Sequence, residues 1–176
     1  QWFVRHPVLV RNPDTGSGQL DVVICTSAFV RRSGTSGDGD PADGRHETFD
    51  GVFGAVDCLY GRMNMFSWKN IEDYQLSASI SPVAGLKLSV DYHVLRLASD
   101  NDAWYWCNCK PMRRTPGGGA GRTVGSEIDV VARWKINAHW DLMAGYGHFF
   151  PGSYIESTGG NAGHADWVFT QVTFTF

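Results

Sequence analysis

Charged side chains recur at every second position of Glu127-Ile-Asp-Val-Val-Ala-Arg-Trp-Lys-Ile136 and are the first candidates for chemistry. In an extended chain successive side chains point to opposite faces. Glu127, Asp129, Val131, Arg133 and Lys135 therefore share one side, and Ile128, Val130, Ala132, Trp134 and Ile136 share the other. Upstream, Lys87, Ser89, Asp91 and His93 alternate with Leu86, Leu88, Val90, Tyr92 and Val94, and downstream Asp141 lies opposite Trp140 and Leu142. Such a set could serve acid–base catalysis or the solvation of a charged solute. For catalysis there is no Gly-x-Ser-x-Gly elbow, and His93, His139 and His148 have no serine and acid partner that spacing reveals. A rigid wall of water-facing charge, offering several weak contacts, is what a pore requires. Lys87, Asp91, His93, Glu127, Asp129, Arg133, Lys135 and Asp141 are read as pore-lining and no residue as catalytic; the chain is not read as an enzyme. The plainer reading is a wetted face whose acids and bases pair and fix one another.

Other motifs stop short of a site. Cys107-Asn-Cys109 is too tight for a zinc knuckle and has no matching Cys or His pair. Two of Cys25, Cys58, Cys107 and Cys109 could join in an oxidising compartment. Asp38, Asp40 and Asp43 crowd one link beside Gly44, without the bidentate acid of a calcium loop. Pro116-Gly-Gly-Gly-Ala-Gly121 lacks the Gly-Lys-Ser/Thr ending of a phosphate loop and reads as a flexible external tip. No metal or cofactor is implied. A formal charge of −3, without a basic stripe, argues against a nucleic-acid partner.

The positioning elements are strands. Period-two alternation also runs through Asp73 to Ile80 and through Asp166 to Phe176, where Val168, Thr170, Val172, Phe174 and Phe176 share a face. Trp140, Leu142, Ala144 and Tyr146 define another strand, and an irregular one lies around Leu20 to Arg31. Short links at Ser81 to Gly85 and Asn137 to His139 alternate with long ones at Gly34 to Asn70, Ser99 to Thr123 and Pro151 to His164. Tight periplasmic turns and long external loops are the pattern of an up-and-down outer-membrane barrel. No stretch approaches the ~20 apolar residues of a membrane-spanning helix, a test that strands escape. A soluble barrel of lipocalin type would turn the apolar face inward. Against it stand the one-sided loops, Trp134 and Trp140 flanking one short turn as an interfacial girdle would, and the terminal Phe174-Thr-Phe176, which resembles the recognition signal of the barrel-insertion machinery. Six strands fall below the usual minimum of ~eight. Since a sheet in lipid must close, the expectation is an incomplete C-terminal fragment with further strands upstream of Gln1.

Several short pieces together carry a family resemblance. They are Ser36 to Asp50, Tyr60-Gly61, Asn70, Asp91-Tyr92-His93 with Leu97, Asp102-Ala-Trp-Tyr105, Gly125 with Glu127, Gly145-Tyr146 and Phe149-Phe-Pro-Gly152. Over residues 36 to 176 the chain resembles the alginate-export outer-membrane proteins. The resemblance implies a monomeric barrel of about eighteen strands that passes an acidic polysaccharide across the bacterial outer membrane, with basic residues along the lumen. The expected fold is thus all-β, an antiparallel up-and-down transmembrane barrel, with outer-membrane lipid, an acidic polysaccharide and the insertion machinery as partners. Residues 36 to 176 hold its strands and external loops. Residues 1 to 35 match poorly, with Arg5-His-Pro-Val and Val10-Arg-Asn-Pro13 not reading as a clean strand.

Overall fold

The computed structural model describes residues 2–9, 23–51 and 60–176, with side chains from residue 27 onward within those ranges. Its strands are β1 (Trp2–Leu9), β2 (Val23–Thr35), β3 (Ile71–Val83), β4 (Leu86–Arg96), β5 (Trp104–Tyr105), β6 (Pro111–Arg113), β7 (Thr123–Lys135), β8 (Trp140–Pro151) and β9 (Ala165–Phe174), with one short helix, α1 (Ser153–Ser157). Seven strands form one antiparallel sheet in the order β1-β2-β3-β4-β7-β8-β9, and β5 and β6 form a separate hairpin. The sheet is a meander, as alternating short and long links require. No closed barrel is formed by the described strands, and no described helix is long and apolar enough to cross a membrane, which says nothing of crossing by strands.

Two expectations change at the N-terminal side. Residues 2–9, which lack clean alternation, pair with β2 along their whole length, from Trp2 opposite Val30 to Leu9 opposite Val23. The sheet therefore has seven strands, not six. The irregular strand is β2, which runs on to Thr35; residues 20–22 of its expected span lie outside the described residues. At the first short link β3 continues through Ser81-Pro82-Val83, with a register shift between Ile80 and Val83. Pro82 cannot donate to a ladder and falls where the ladder is already broken. Only Ala84-Gly85 remains as the turn, and Gly85 takes a positive φ of 80°, which favours a residue without a Cβ.

Burial divides the two faces of the sheet in an unusual sense. The apolar set is open: Leu76 is 53% exposed, Val90 40%, Val130 43% and Val168 71%. On the opposite face Asp73, Glu127 and Asp129 are fully buried and His93 nearly so. The compact apolar cluster lies at the end of the long links, not between sheet faces. Tyr60, Met65 and Phe66 from the β2–β3 link, Leu97 and Trp104 from the β4–β7 link, and Tyr154 and Ile155 from α1 pack there on Ile71, Leu95, Val124 and Phe149 at the strand ends.

Polar anchors hold this cap of links together. Asn70, fully buried, donates from Nδ2 to the carbonyls of Ser99 (2.9 Å) and Ala103 (3.0 Å) and accepts from the Ser99 amide (2.7 Å). Arg113 on β6 donates to the carbonyls of Ile155 (2.9 Å), Gly159 and Asn161, closing the carbonyl end of α1. The fully buried Asp102 accepts from the Asp38 and Ala103 amides (3.0 and 2.7 Å), Thr48 Oγ1 (2.6 Å) and Tyr105 Oη (2.9 Å). Burial by itself would raise the Asp102 carboxyl, but these hydrogen bonds outweigh it and hold it below its ordinary value. Burial and the bond to Asp102 push the Tyr105 hydroxyl up to about 12. The glycine-rich segment is docked, with the Gly119 amide donating to Asp100 (3.2 Å) and Gly118 seated against Asn101.

A depressed carboxyl stabilises the folded cap at neutral pH and loses that contribution as pH falls through its folded-state value. Asp102→Asn removes the charge that these four donors and the Arg114 guanidinium (3.4 Å) address, each charge-assisted bond contributing about 2 kcal/mol. We expect cleavage of residues 36–51 and 97–122 by added protease at neutral pH, with strand content by circular dichroism retained. Wild type should reach the same loosened cap only in strong acid. Equal protease resistance of the two proteins at pH 7 would show that Asp102 does not hold the cap.

Candidate functional site

The register of the sheet sorts the charged residues along one face. Paired across β4 and β7 are His93 with Glu127, Asp91 with Asp129, and Lys87 with Arg133; across β7 and β8, Lys135 pairs with Asp141. All eight side chains singled out in the sequence fall on this polar face. They are zoned, not mixed. Carboxylates lie toward the long links, where Asp73 joins them from β3, while Lys87, Arg133 and Lys135 lie exposed toward the short turns with Asp141. Pairing of acids with bases is absent from these eight: Asp91 accepts from Gln75 Nε2 (3.1 Å) and the Ser77 hydroxyl, and Lys87 stands opposite another base. The register works against the expected pairs where acid meets acid at Asp91 and Asp129 and base meets base at Lys87 and Arg133, while Lys135 with Asp141 and His93 with Glu127 face each other across the ladder without an ion pair.

Like charges opposite each other are destabilising unless something offsets them. For the acids, the offset is a returning segment of the β2–β3 link. The Met63 amide donates to Glu127 Oε1 (2.9 Å) and the Arg62 amide to Asp129 Oδ2 (3.1 Å). Gly61, with φ of 75°, makes the approach: a Cβ there would stand 2.4 Å from Glu127 Oε1. Gly147 gives room from the other side, where a Cβ would meet Asp129 Oδ1 at 2.8 Å and Met63 Cγ at 3.0 Å. One oxygen of each acid, Glu127 Oε2 and Asp129 Oδ1, is buried without a hydrogen-bond donor. Beside them His93 Nδ1 meets Asp73 Oδ1 at 2.9 Å, and Arg31 Nη2 lies 3.6 Å from Asp73 Oδ2. A covered patch of carboxylate, imidazole and guanidinium thus lies next to an open patch of bases.

Several partnerships were beyond the sequence. Arg62 and Met63 lie in a long link without periodicity, and they reach the wall through backbone amides, which carry no residue signature. His93 and His148 each have an acid partner: Asp73 for the first, and for the second Asp166 Oδ1 at 2.7 Å on the apolar face, where Tyr146 Oη also reaches Asp166 and His164 Nδ1 lies 3.0 Å from His148 Nε2. His139 Nδ1 donates to the Thr175 carbonyl (2.9 Å). Cys107 and Cys109 are free thiols; Cys58 lies outside the described residues, as does the side chain of Cys25. Asp38, Asp40 and Asp43 bond the amides two residues on, or Asp102's neighbourhood, and no group of three or more metal-ligating side chains occurs among the described residues.

Neutral amides keep the shape of Glu127 and Asp129 but accept more weakly, by about 1 kcal/mol for each bond. In Glu127→Gln/Asp129→Asn, hydrogen exchange at the Arg62 and Met63 amides should rise about tenfold or more, with exchange in β7 and β8 unchanged. Unaltered protection at those two amides would mean that the segment is held by the apolar cluster alone.

Against curated proteins the chain finds no match. Against protein families, the model described as alginate export matches residues 29–169, from within β2 to within β9 and across every link that covers the polar face. That is an export family, defined by transport and not by a reaction, and its span takes in most of the chain. The chain belongs to the alginate export family.

Proposed function

We propose that the sheet is part of a bacterial outer-membrane β-barrel whose polar face lines a water-filled passage for an acidic polysaccharide of alginate type, without enzymatic activity. The observation that carries this reading is the inverted burial of the sheet: open valines and leucines on one face, closed carboxylates on the other. In water, each open Leu, Val or Phe forgoes roughly 2 kcal/mol of burial, and a contiguous apolar face of this kind calls for an apolar surrounding. Along β7 the apolar set runs from Ile128 to Ile136, eight steps of about 3.4 Å, or roughly 20 Å of depth at the ~40° tilt of barrel strands. The ends of that band are aromatic. Trp134, Trp140 and Phe174 gather at the short-turn end, with Trp140 and Phe174 rings 4.8 Å apart, and Tyr92, Tyr146 and Phe150 stand toward the long links. Such belts suit the two interfaces of a bilayer. A soluble lipocalin-like barrel would need the same valines inside and the buried acids outside.

On this reading the short turns face the periplasm and the capped links face outward. β1 and β9 are the edges of the described sheet, and since unpaired backbone groups in lipid cost several kcal/mol each, both pair with further strands in the closed barrel. The solute meets Lys87, Arg133 and Lys135 first. Lys87 and Arg133 stand opposite each other with no ion pair to either among the described residues, an arrangement that a visiting polyanion would relieve.

Single-channel recording of the full-length protein in a planar bilayer tests this. Open channels blocked by an oligomannuronate added on the short-turn side are expected. Lys87→Gln/Arg133→Gln/Lys135→Gln should weaken that block about tenfold, each exposed charge contributing on the order of half a kcal/mol. Channels indifferent to the uronate would remove the polysaccharide from the proposal, and folded protein without channels would remove the pore.

A further inference from the structure

The polar face carries a cavity of about 650 Å³ between the returning segment and β9, within the ~300–1,000 Å³ range of small-molecule sites. Its lining joins Asp91, His93 and Asp129 of the covered charged zone to a pair of aromatic rings. Trp167 and Phe169, on the polar side of β9, stack with ring centroids 4.6 Å apart and planes at 24°. Phe169 lies over the bare backbone of Gly145, where a Cβ would be 2.3 Å from its Cε1; the glycine leaves the wall flat enough for a ring to cover it. Across the cavity stand Arg62 and Asn64 of the returning segment, with Gln75 and Gln171 from the strands. Among the described residues Arg62 is in no ion pair and its buried Nε has no hydrogen-bond partner, and Asn64, with φ of 63°, is exposed at the cavity.

Two large aromatic rings in a wetted wall are out of place if the passage only conducts ions. Each gives up favourable contact area by facing water. The C–H bonds on one face of a pyranose ring carry slight positive charge and suit the negative face of an indole or phenyl ring, while the hydroxyls at the ring's rim need donors and acceptors. Amide and guanidinium groups opposite a stacked aromatic pair meet both needs. We propose that Trp167 and Phe169, with Arg62 and Asn64 opposite, form a saccharide subsite that takes one pyranose ring of the passing chain. The aromatic pair accepts the ring face whether or not the sugar is charged, and Arg62 takes the carboxylate when it is a uronate. The site rests on the reading of the polar face as the wall of the passage. It adds that the wall recognises a sugar ring, not only an anion.

Cellohexaose and an oligomannuronate of equal length separate the two contributions in single-channel block. Trp167→Ala and Phe169→Ala should each weaken block by both sugars about tenfold, with Trp167→Phe largely retaining it; Arg62→Gln should weaken block by the uronate only. Heat-modifiable gel migration checks that each variant folds. Open wild-type channels that neither sugar blocks, or block unchanged in both alanine variants, would overturn the subsite and leave the pore intact. Tryptophan fluorescence of the detergent-folded protein, titrated with the same sugars, reads binding even if no channel opens: quenching lost in Trp167→Phe supports the site, and no sugar-dependent change in wild type overturns it.

Discussion

A sheet that keeps carboxylates covered and valines open gains nothing in water from burying its own faces, so its order must come from elsewhere. The backbone ladder supplies one part. The other part is at the strand ends, where three long links converge on Ile71, Leu95, Val124 and Phe149 and make the chain's compact apolar cluster. Everything on the polar face depends on that cap. It fixes where the β2–β3 link returns, and the return in turn supplies the two amides that make a closely spaced Glu127 and Asp129 tolerable. A buried carboxylate without donors would cost several kcal/mol, so the acids and the returning segment stand or fall together.

The same register that crowds the acids also collects the bases. Cross-strand pairing places Lys87 beside Arg133 by the same ladder that places Asp91 beside Asp129, and the two ends then diverge because only one of them is covered. Where the link returns, charge is neutralised from within. Where it does not, positive charge is left for solvent or solute. A wall that is nearly balanced in composition therefore has a cationic open end, and net charge is a poor guide to what such a surface attracts.

Strand identity and facing were legible because period-two alternation is a local property: residues 127–136 announce their two faces without any knowledge of neighbours. The lengths of the links were legible for the same reason. Trp2–Leu9 was missed because a strand that contains Pro7 and lacks alternation is fixed only by its partner β2. The cap was missed for a deeper reason. Asn70, Asp102 and Arg113 act on backbone carbonyls and amides far away in sequence, and such bonds require the right place and not a matching residue. Likewise Arg62 and Met63 bind the wall through main-chain N–H groups. Zoning of the wall's charge was invisible until the register was known, since a shift of two residues would have paired Lys87 with Val131 and left a different surface.

The residues through which the chain resembles its family fall mostly on this hidden machinery. Gly61 permits the close approach to Glu127, Asn70 and Asp102 bind the links to one another, and Phe149 with Gly152 forms the floor on which α1 sits. Lys87, Arg133 and Lys135, like Arg62, Trp167 and Phe169, are not among them. What the resemblance marks is thus the way a link is folded back over the polar face, through close approaches and main-chain bonds. Asp91, His93 and Glu127 belong to both sets: they carry the resemblance and lie on the polar face, so the covered acids are part of this mechanics while the open bases stand outside it.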